Sequence, residues 1–371
     1  MINKDISRSV FYIPGFDPRS HKYYYKIFKT NAIKTSRLKH DKFSMSKIIY
    51  QNTKFFDIDY DGYRIRYHFL EWNDIVQMHF ISGIKDIFFA IFIFIFRYLK
   101  LFFRYVKESR TQLIAGLYPC FYVVFSYALS MWLSYKISSL FSNLIISVLS
   151  FVILFYILHL LINLIGKKIA VFWLLSIFKF CYYFSCNKTY EVDKRIDDFV
   201  STILNEIKQN RDEILLIAHS VGTILAVEIS ARLCQILKND DRLMRFKLVL
   251  LGECIPLVTF QKTAEFFRQS LNILSSSGIV WLDFTSKNDG ACYYMFNYLK
   301  SDNIIKKYDY SPKFLSVKFF KIYKEATYKK IRYQWYKVHF LYLMATEISI
   351  GYDYFYIVCD KKNLQSKFLK E

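Results

Sequence analysis

Breaking an acyl bond without a metal takes a nucleophile, a base that accepts its proton and an acid that holds the base in place. The chain carries a serine in a suitable setting. In Glu213-Ile-Leu-Leu-Ile-Ala-His-Ser-Val-Gly-Thr223, Ser220 stands two residues after Ala218 and two before Gly222. Small residues at those positions suit a sharp strand-to-helix turn, where neighbouring backbone comes close and the hydroxyl is pushed out of the sheet. Small-x-Ser-x-Gly also recurs by chance, and an ordinary tight turn can carry it. Its weight depends on the partners.

Seven histidines are available as the base. His219 adjoins Ser220, so its side chain must point elsewhere, and it reads as a packing or pocket residue. His21, His40, His68 and His79 precede the serine, and His159 lies in an apolar run. By elimination the base is His339, which follows the serine near the C-terminal end, as the order Ser, acid, His requires. The alternative is a satisfied structural histidine before a helix. Asp289, in a loop past the end of a strand and followed by Gly290, is the preferred acid; Asp283, inside that strand, is the fallback. Backbone N–H groups of Val221 and Phe16 would face the oxyanion. No metal or cofactor is expected, because the cysteines at 120, 181, 186, 234, 254, 292 and 359 lack metal-ligand spacing. Scattered and odd in number, they fit a reduced compartment.

These residues need a sheet to hold them. Ile214 to Ala218 is a short apolar run after the polar turn Asn210–Glu213, the pattern of a buried strand, and Thr223 to Lys238 can continue as a helix. Arg8 to Ile13 is a strand candidate broken by Pro14-Gly15-Phe16-Asp17-Pro18, with Asp17 placed to cap the following helix. Asp61-Gly62 separates two alternating runs, Phe55–Tyr60 and Tyr63–Phe69, which predicts a hairpin at one edge of the sheet. A helix over Ile196–Ile207, further strands at Phe246–Leu251 and Ile279–Phe284, and another over Leu315–Phe319 complete the pattern. Strands alternating with helices imply an α/β fold with a mainly parallel sheet covered on both faces.

Between these halves the composition changes. Residues 81–106 hold a dense apolar run interrupted by charges, read as an interfacial helix over about 82–106. Residues 113–135 and 144–165 carry no Asp, Glu, Lys or Arg and are long enough to span a bilayer. Residues 169–185 return along the interface. The basic residues Arg97, Lys100, Arg104, Lys107 and Arg110 precede this hairpin and Lys167 and Lys168 follow it, against Lys136 alone in its loop. The positive-inside rule then places both ends in the cytoplasm. The predicted organisation is residues 1–80 and 187–371 as one catalytic domain, with 81–186 inserted as a membrane module. The net charge of +21 suits anionic headgroups beside membrane segments. No basic cluster sits on a recognisable nucleic-acid-binding element, so nucleic acid is not an expected partner.

The stretches Val10-Phe-Tyr-Ile-Pro-Gly-Phe-Asp-Pro-Arg19, Ala218-His-Ser-Val-Gly222, Trp281 to Cys292 and His339-Phe-Leu-Tyr-Leu-Met-Ala345 together resemble the α/β-hydrolases. The narrower resemblance is to bacterial membrane-associated hydrolases that begin with a Pro-Gly-Phe-Asp-Pro-Arg segment. Ala218 departs from the usual first glycine of the elbow. The resemblance implies a serine hydrolase acting on esters or thioesters, lipase- or esterase-like, in the bacterial inner membrane. Its location favours membrane lipids or lipid-derived acyl compounds as substrate. A membrane-tethered scaffold without catalysis and an esterase of soluble substrates are the rival expectations.

Overall fold

In a computed structural model, the strands predicted for the two halves of the chain join one sheet. The structure describes residues 7–99, 110–209, 211–348 and 350–369. Asn210, residues 100–106 of the predicted interfacial helix, and with them Lys100, Arg104 and Lys107, lie outside the described residues. The side chain of Arg110 does too. By internal contacts the chain divides into Met1–Met78 with Tyr183–Glu371, and His79–Tyr182.

The first unit holds nine strands among the described residues: β1 (Arg8–Ile13), β2 (Phe43–Met45), β3 (Ile49–Tyr50), β4 (Lys54–Tyr60), β5 (Tyr63–Phe69), β6 (Glu213–His219), β7 (Phe246–Leu251), β8 (Val280–Thr285) and β9 (Lys313–Ser316). Their order is β2-β4-β5-β1-β6-β7-β8-β9, with β3 also on β4. From β5 to β9 every pairing is parallel, and β2, β3 and β5 are antiparallel to β4. The Asp61-Gly62 hairpin turn, with φ of 49° and 78°, closes β4 on β5.

Side chains on a strand alternate between faces. Leu215 and Ile217 of β6 join Tyr12, Val249, Leu282 and Phe28 in one core, while Leu216 and Ala218 on the other face are equally buried. The His21–Lys39 helix covers the first face, with Phe28 5.0 Å from Tyr67 and 5.1 Å from Phe355 between ring centroids. The Gly222–Ile236 helix packs on β6, β1 and β7, with the Tyr190–Ile207 and Glu265–Ser276 helices beside it. At the amino end of the parallel strands, Glu213 sits between two cations. Arg8 approaches one oxygen at 2.6 Å and Lys247 the other at 2.6 Å, all three nearly inaccessible. Burial works to raise the Glu213 carboxyl, but Arg8 and then Lys247 outweigh it and hold it below its ordinary value.

Three details differ from the sequence expectation. The last strand is Lys313–Ser316, and Phe319 opens a short helix instead of extending it. Leu315 and Ser316 are both half-buried, and beyond them Val317 N–H donates to Thr285 O at 2.7 Å. β2 and β3 were not expected, because three and two residues are too few to show a period-two pattern. Asp17 does not cap the helix; Ser20 occupies that position without a side-chain cap.

The second unit is helical. Two of its helices are long and apolar enough to cross a membrane, Ile114–Ser138 with mean hydropathy 1.5 and Leu144–Lys168 with 2.7. They form a hairpin with side-chain bonds between them. Tyr122 Oη donates to Ile162 O at 2.8 Å, and Tyr127 Oη lies 2.7 Å from His159 Nδ1. His159 is therefore partnered within the hairpin. The Ile84–Ile93 helix continues as a π-helical turn, Phe94–Tyr98, and packs on the Val171–Ser185 helix through Phe94, Tyr98 and Phe178. The charges that interrupt the apolar runs answer each other, with Lys179 Nζ 2.7 Å from Asp86 Oδ1.

Candidate active site

β1 and β6 are neighbours, yet the chain leaves β1 towards β5 on one side and returns to β6 on the other. Their carboxyl ends meet at this change of direction, where open α/β sheets bind ligands. β1 delivers Pro14-Gly15-Phe16 and β6 delivers Ser220 to the same spot. Ser220 has φ of 56°, a left-handed conformation costly for a residue with a side chain and characteristic of functional strain. The strain is held from both sides. Ser220 N–H donates to Leu251 O at 2.9 Å, and Thr223 Oγ1–H donates to Ser220 O at 2.6 Å. A Cβ on Gly222 would sit 2.4 Å from Pro14 O, and one on Gly15 would sit 2.8 Å from Ser220 Cβ. Both glycines are thus demanded by contact between the loop and the elbow. Trp72 Nε1–H donates to Pro14 O at 2.8 Å and stands edge-on to Phe16, which fixes the loop beside the serine.

The loop after β8 and the short Trp335–His339 helix supply the other two groups. His339 Nδ1 and Asp289 Oδ2 are 2.8 Å apart, each 1% exposed. Ala291 N–H donates to the second Asp289 oxygen at 3.0 Å. Burial pushes this carboxyl up, but the imidazole and the Ala291 N–H prevail, and Asp289 stays below its usual range. Nδ1–H of His339 thus donates to the acid. His339 Nε2 has no hydrogen-bond partner among the described residues, and Ser220 Oγ lies 3.8 Å from Cys254 Sγ. Serine and histidine are not bonded to each other here; such bonds often tighten only when substrate is present.

Asp283 does not share this histidine. It accepts from Tyr298 Oη at 2.8 Å in the middle of β8. Burial pushes its carboxyl up to about 7, and the neighbouring Glu253 is raised well above its ordinary value by burial and by Asp283. Each has one oxygen without a partner among the described residues, Asp283 Oδ1 and Glu253 Oε1. A carboxyl whose charged form burial disfavours is poorly suited to stabilise an imidazolium.

Several roles at the site go beyond the sequence reading, which had His219 as a packing or pocket residue, a place its ring contacts with His339 and Phe340 bear out. His219 Nε2–H donates to the main-chain oxygen of His339 at 2.8 Å, with ring centroids 4.6 Å apart. Burial, then the nearby His339, lowers its pKa to about 3, so it serves as a neutral donor. Gly252, with φ of 57°, leaves room for Asp289 and His339: a Cβ there would meet Asp289 Oδ2 at 3.1 Å and His339 Cε1 at 3.3 Å. Asp17 accepts from Tyr24 Oη at 2.6 Å and from Arg19 Nε at 2.8 Å, and Arg19 lies 5.2 Å from the Phe340 ring. No family model matches the chain, and comparison with curated proteins and with solved structures gives no match.

Proposed function

We propose that the chain is a membrane-anchored serine hydrolase of the α/β-hydrolase type, cleaving carboxylic esters or thioesters through an acyl-enzyme. The observation that carries this reading is the buried His339–Asp289 pair, whose free Nε2 belongs to a residue tied by His219 to the strand end bearing Ser220. In the proposed cycle Ser220 Oγ attacks the carbonyl carbon and its proton passes to His339 Nε2. The tetrahedral oxyanion is met by the N–H groups of Val221 and Phe16. Collapse breaks the ester C–O or thioester C–S bond, and His339 returns the proton to the leaving group. Water repeats the sequence and frees Ser220. Asp289 keeps the imidazole in the useful tautomer and stabilises its cation.

The two helices able to span a membrane are covalently part of the same chain, which supports a lipid-derived ester or acyl thioester as substrate. The basic flanks support a cytoplasmic hydrolase unit in an integral membrane protein. The test is hydrolysis of p-nitrophenyl esters and acyl thioesters by the detergent-solubilised full chain. Ser220→Ala is expected to lower kcat by at least about a thousandfold. A folded wild type that cleaves none of them would favour a tethered scaffold, and monomeric esters cleaved better than micellar ones would favour a soluble substrate.

A further inference from the structure

Between β9 and His339 the chain runs Lys318-Phe-Phe-Lys-Ile-Tyr-Lys-Glu-Ala-Thr-Tyr-Lys-Lys-Ile-Arg-Tyr-Gln-Trp-Tyr-Lys337. Lys318, Lys321, Lys324, Lys329, Lys330, Arg332 and Lys337 are all exposed, and Glu325 is the one acid in this stretch. Glu325 is engaged by Lys329 at 2.6 Å. Among these cations stand large exposed aromatics: Phe320 is 53% exposed, Tyr333 73%, Trp335 43% and Tyr336 45%. The segment is nevertheless ordered. It folds as three short helices, Phe319–Ile322, Glu325–Ile331 and Trp335–His339, pinned by the buried Phe319, Ile322, Tyr323 and Val338.

A solvated basic face has no reason to display Trp, Tyr and Phe in the same stretch. Mixed cations and amphipathic aromatics are the composition that settles at the headgroup level of a bilayer. We infer that the exposed face of residues 318–337 docks on an anionic phospholipid surface, with the Lys and Arg heads on phosphates and the aromatics at the acyl boundary. Two further observations select this occupant. The charge of the stretch is complementary to anionic lipid, and the chain holds two helices that can place it beside a bilayer. The face also leads into the candidate site. The helix that begins at Trp335 ends at His339, and Tyr336 lies 5.0 Å from the ring of Phe340. If the chain is a hydrolase, as proposed above, docking would seat the base's own helix at the lipid surface.

The experiment uses the full chain in nanodiscs whose phosphatidylcholine or phosphatidylglycerol carries bromine on the acyl chains. Brominated phosphatidylglycerol should quench the wild type more than Trp335→Phe. The difference should shrink in phosphatidylcholine alone and vanish in the triple variant Lys329→Glu, Lys330→Glu, Arg332→Glu. Equal quenching of wild type and Trp335→Phe in brominated phosphatidylglycerol would overturn the inference, whatever the enzymatic outcome. The triple variant should also lose at least about tenfold in hydrolysis of a bilayer ester in anionic discs while keeping a soluble ester within about twofold. Equal loss on both esters would count against docking. No cleavage of either ester by the wild type would instead remove the proposed function and leave the quenching result to decide the surface.

Discussion

His219 sits one residue before Ser220 and holds His339 by its main-chain oxygen. It touches no reacting atom in the proposed cycle, so it is a positioning residue. His219→Phe preserves ring packing but removes the donor to His339 O. Its kcat should fall by about tenfold to a hundredfold with KM little changed, because small misplacements of a catalytic group carry costs of that size. His219→Gln, which keeps an N–H, should recover part of the loss; steady-state kinetics on one ester would show it. The residues proposed for chemistry were legible in the sequence because chain order and residue type constrain them: a serine after a buried run, one histidine late in the chain, an aspartate in a loop after a strand. The roles of His219, Gly252 and Asp17 were not legible. They arise from contacts such as His219 with His339, 120 positions apart, which no local spacing reports.

At the scale of elements, the site is a joint between the ends of β1 and β6, and Gly222 is where the two touch. Gly222→Ala forces a methyl group towards the Pro14 carbonyl, a backbone atom that can yield only if the loop parts from the elbow. The expected cost is about 1–3 kcal/mol of stability, with loss of ester hydrolysis beyond what the remaining folded fraction explains. Thermal unfolding and activity measured on the same preparation separate the two effects. The buried strands and the Asp61-Gly62 hairpin were readable because continuous apolar runs and turn residues are local signals. The brief edge strands β2 and β3, of three and two residues, were too short to show a period and were not. The true end of β9 was also hidden, since Val317 and Phe319 are buried whether in strand or helix.

At the scale of the whole molecule, stability should carry the signature of two buried carboxyls, Asp283 in β8 and Glu253 just after β7. Asp283 has its pKa raised in the folded state to about 7, whereas the unfolded value is the ordinary 3.8. Folded protein therefore binds the extra proton, and stability present at about pH 4 is lost as pH rises towards 7, by an amount on the order of a few kcal/mol. Glu253 acts in the same direction. His68 and His219, lowered by burial to about 4 and about 3, act in the opposite sense, so the test is a difference: between pH 5 and pH 8 the apparent Tm in detergent should fall less, or rise more, in Asp283→Asn than in the wild type, and equal slopes would remove Asp283 as a contributor. The two helices long and apolar enough to cross a membrane were the most legible part of the molecule, since length and absence of charge suffice to mark them. The pairing of Asp86 with Lys179 was not, because it depends on which helices pack together.

The central claim is that Ser220 is an activated nucleophile. It is tested most directly by treating the detergent-solubilised full chain with a fluorophosphonate and locating the adduct by peptide mass spectrometry. The account predicts one phosphonylated residue, Ser220, with labelling abolished in Ser220→Ala and strongly slowed in His339→Ala and Asp289→Asn. A folded wild type that takes no label, or a label that persists in Ser220→Ala, would contradict it.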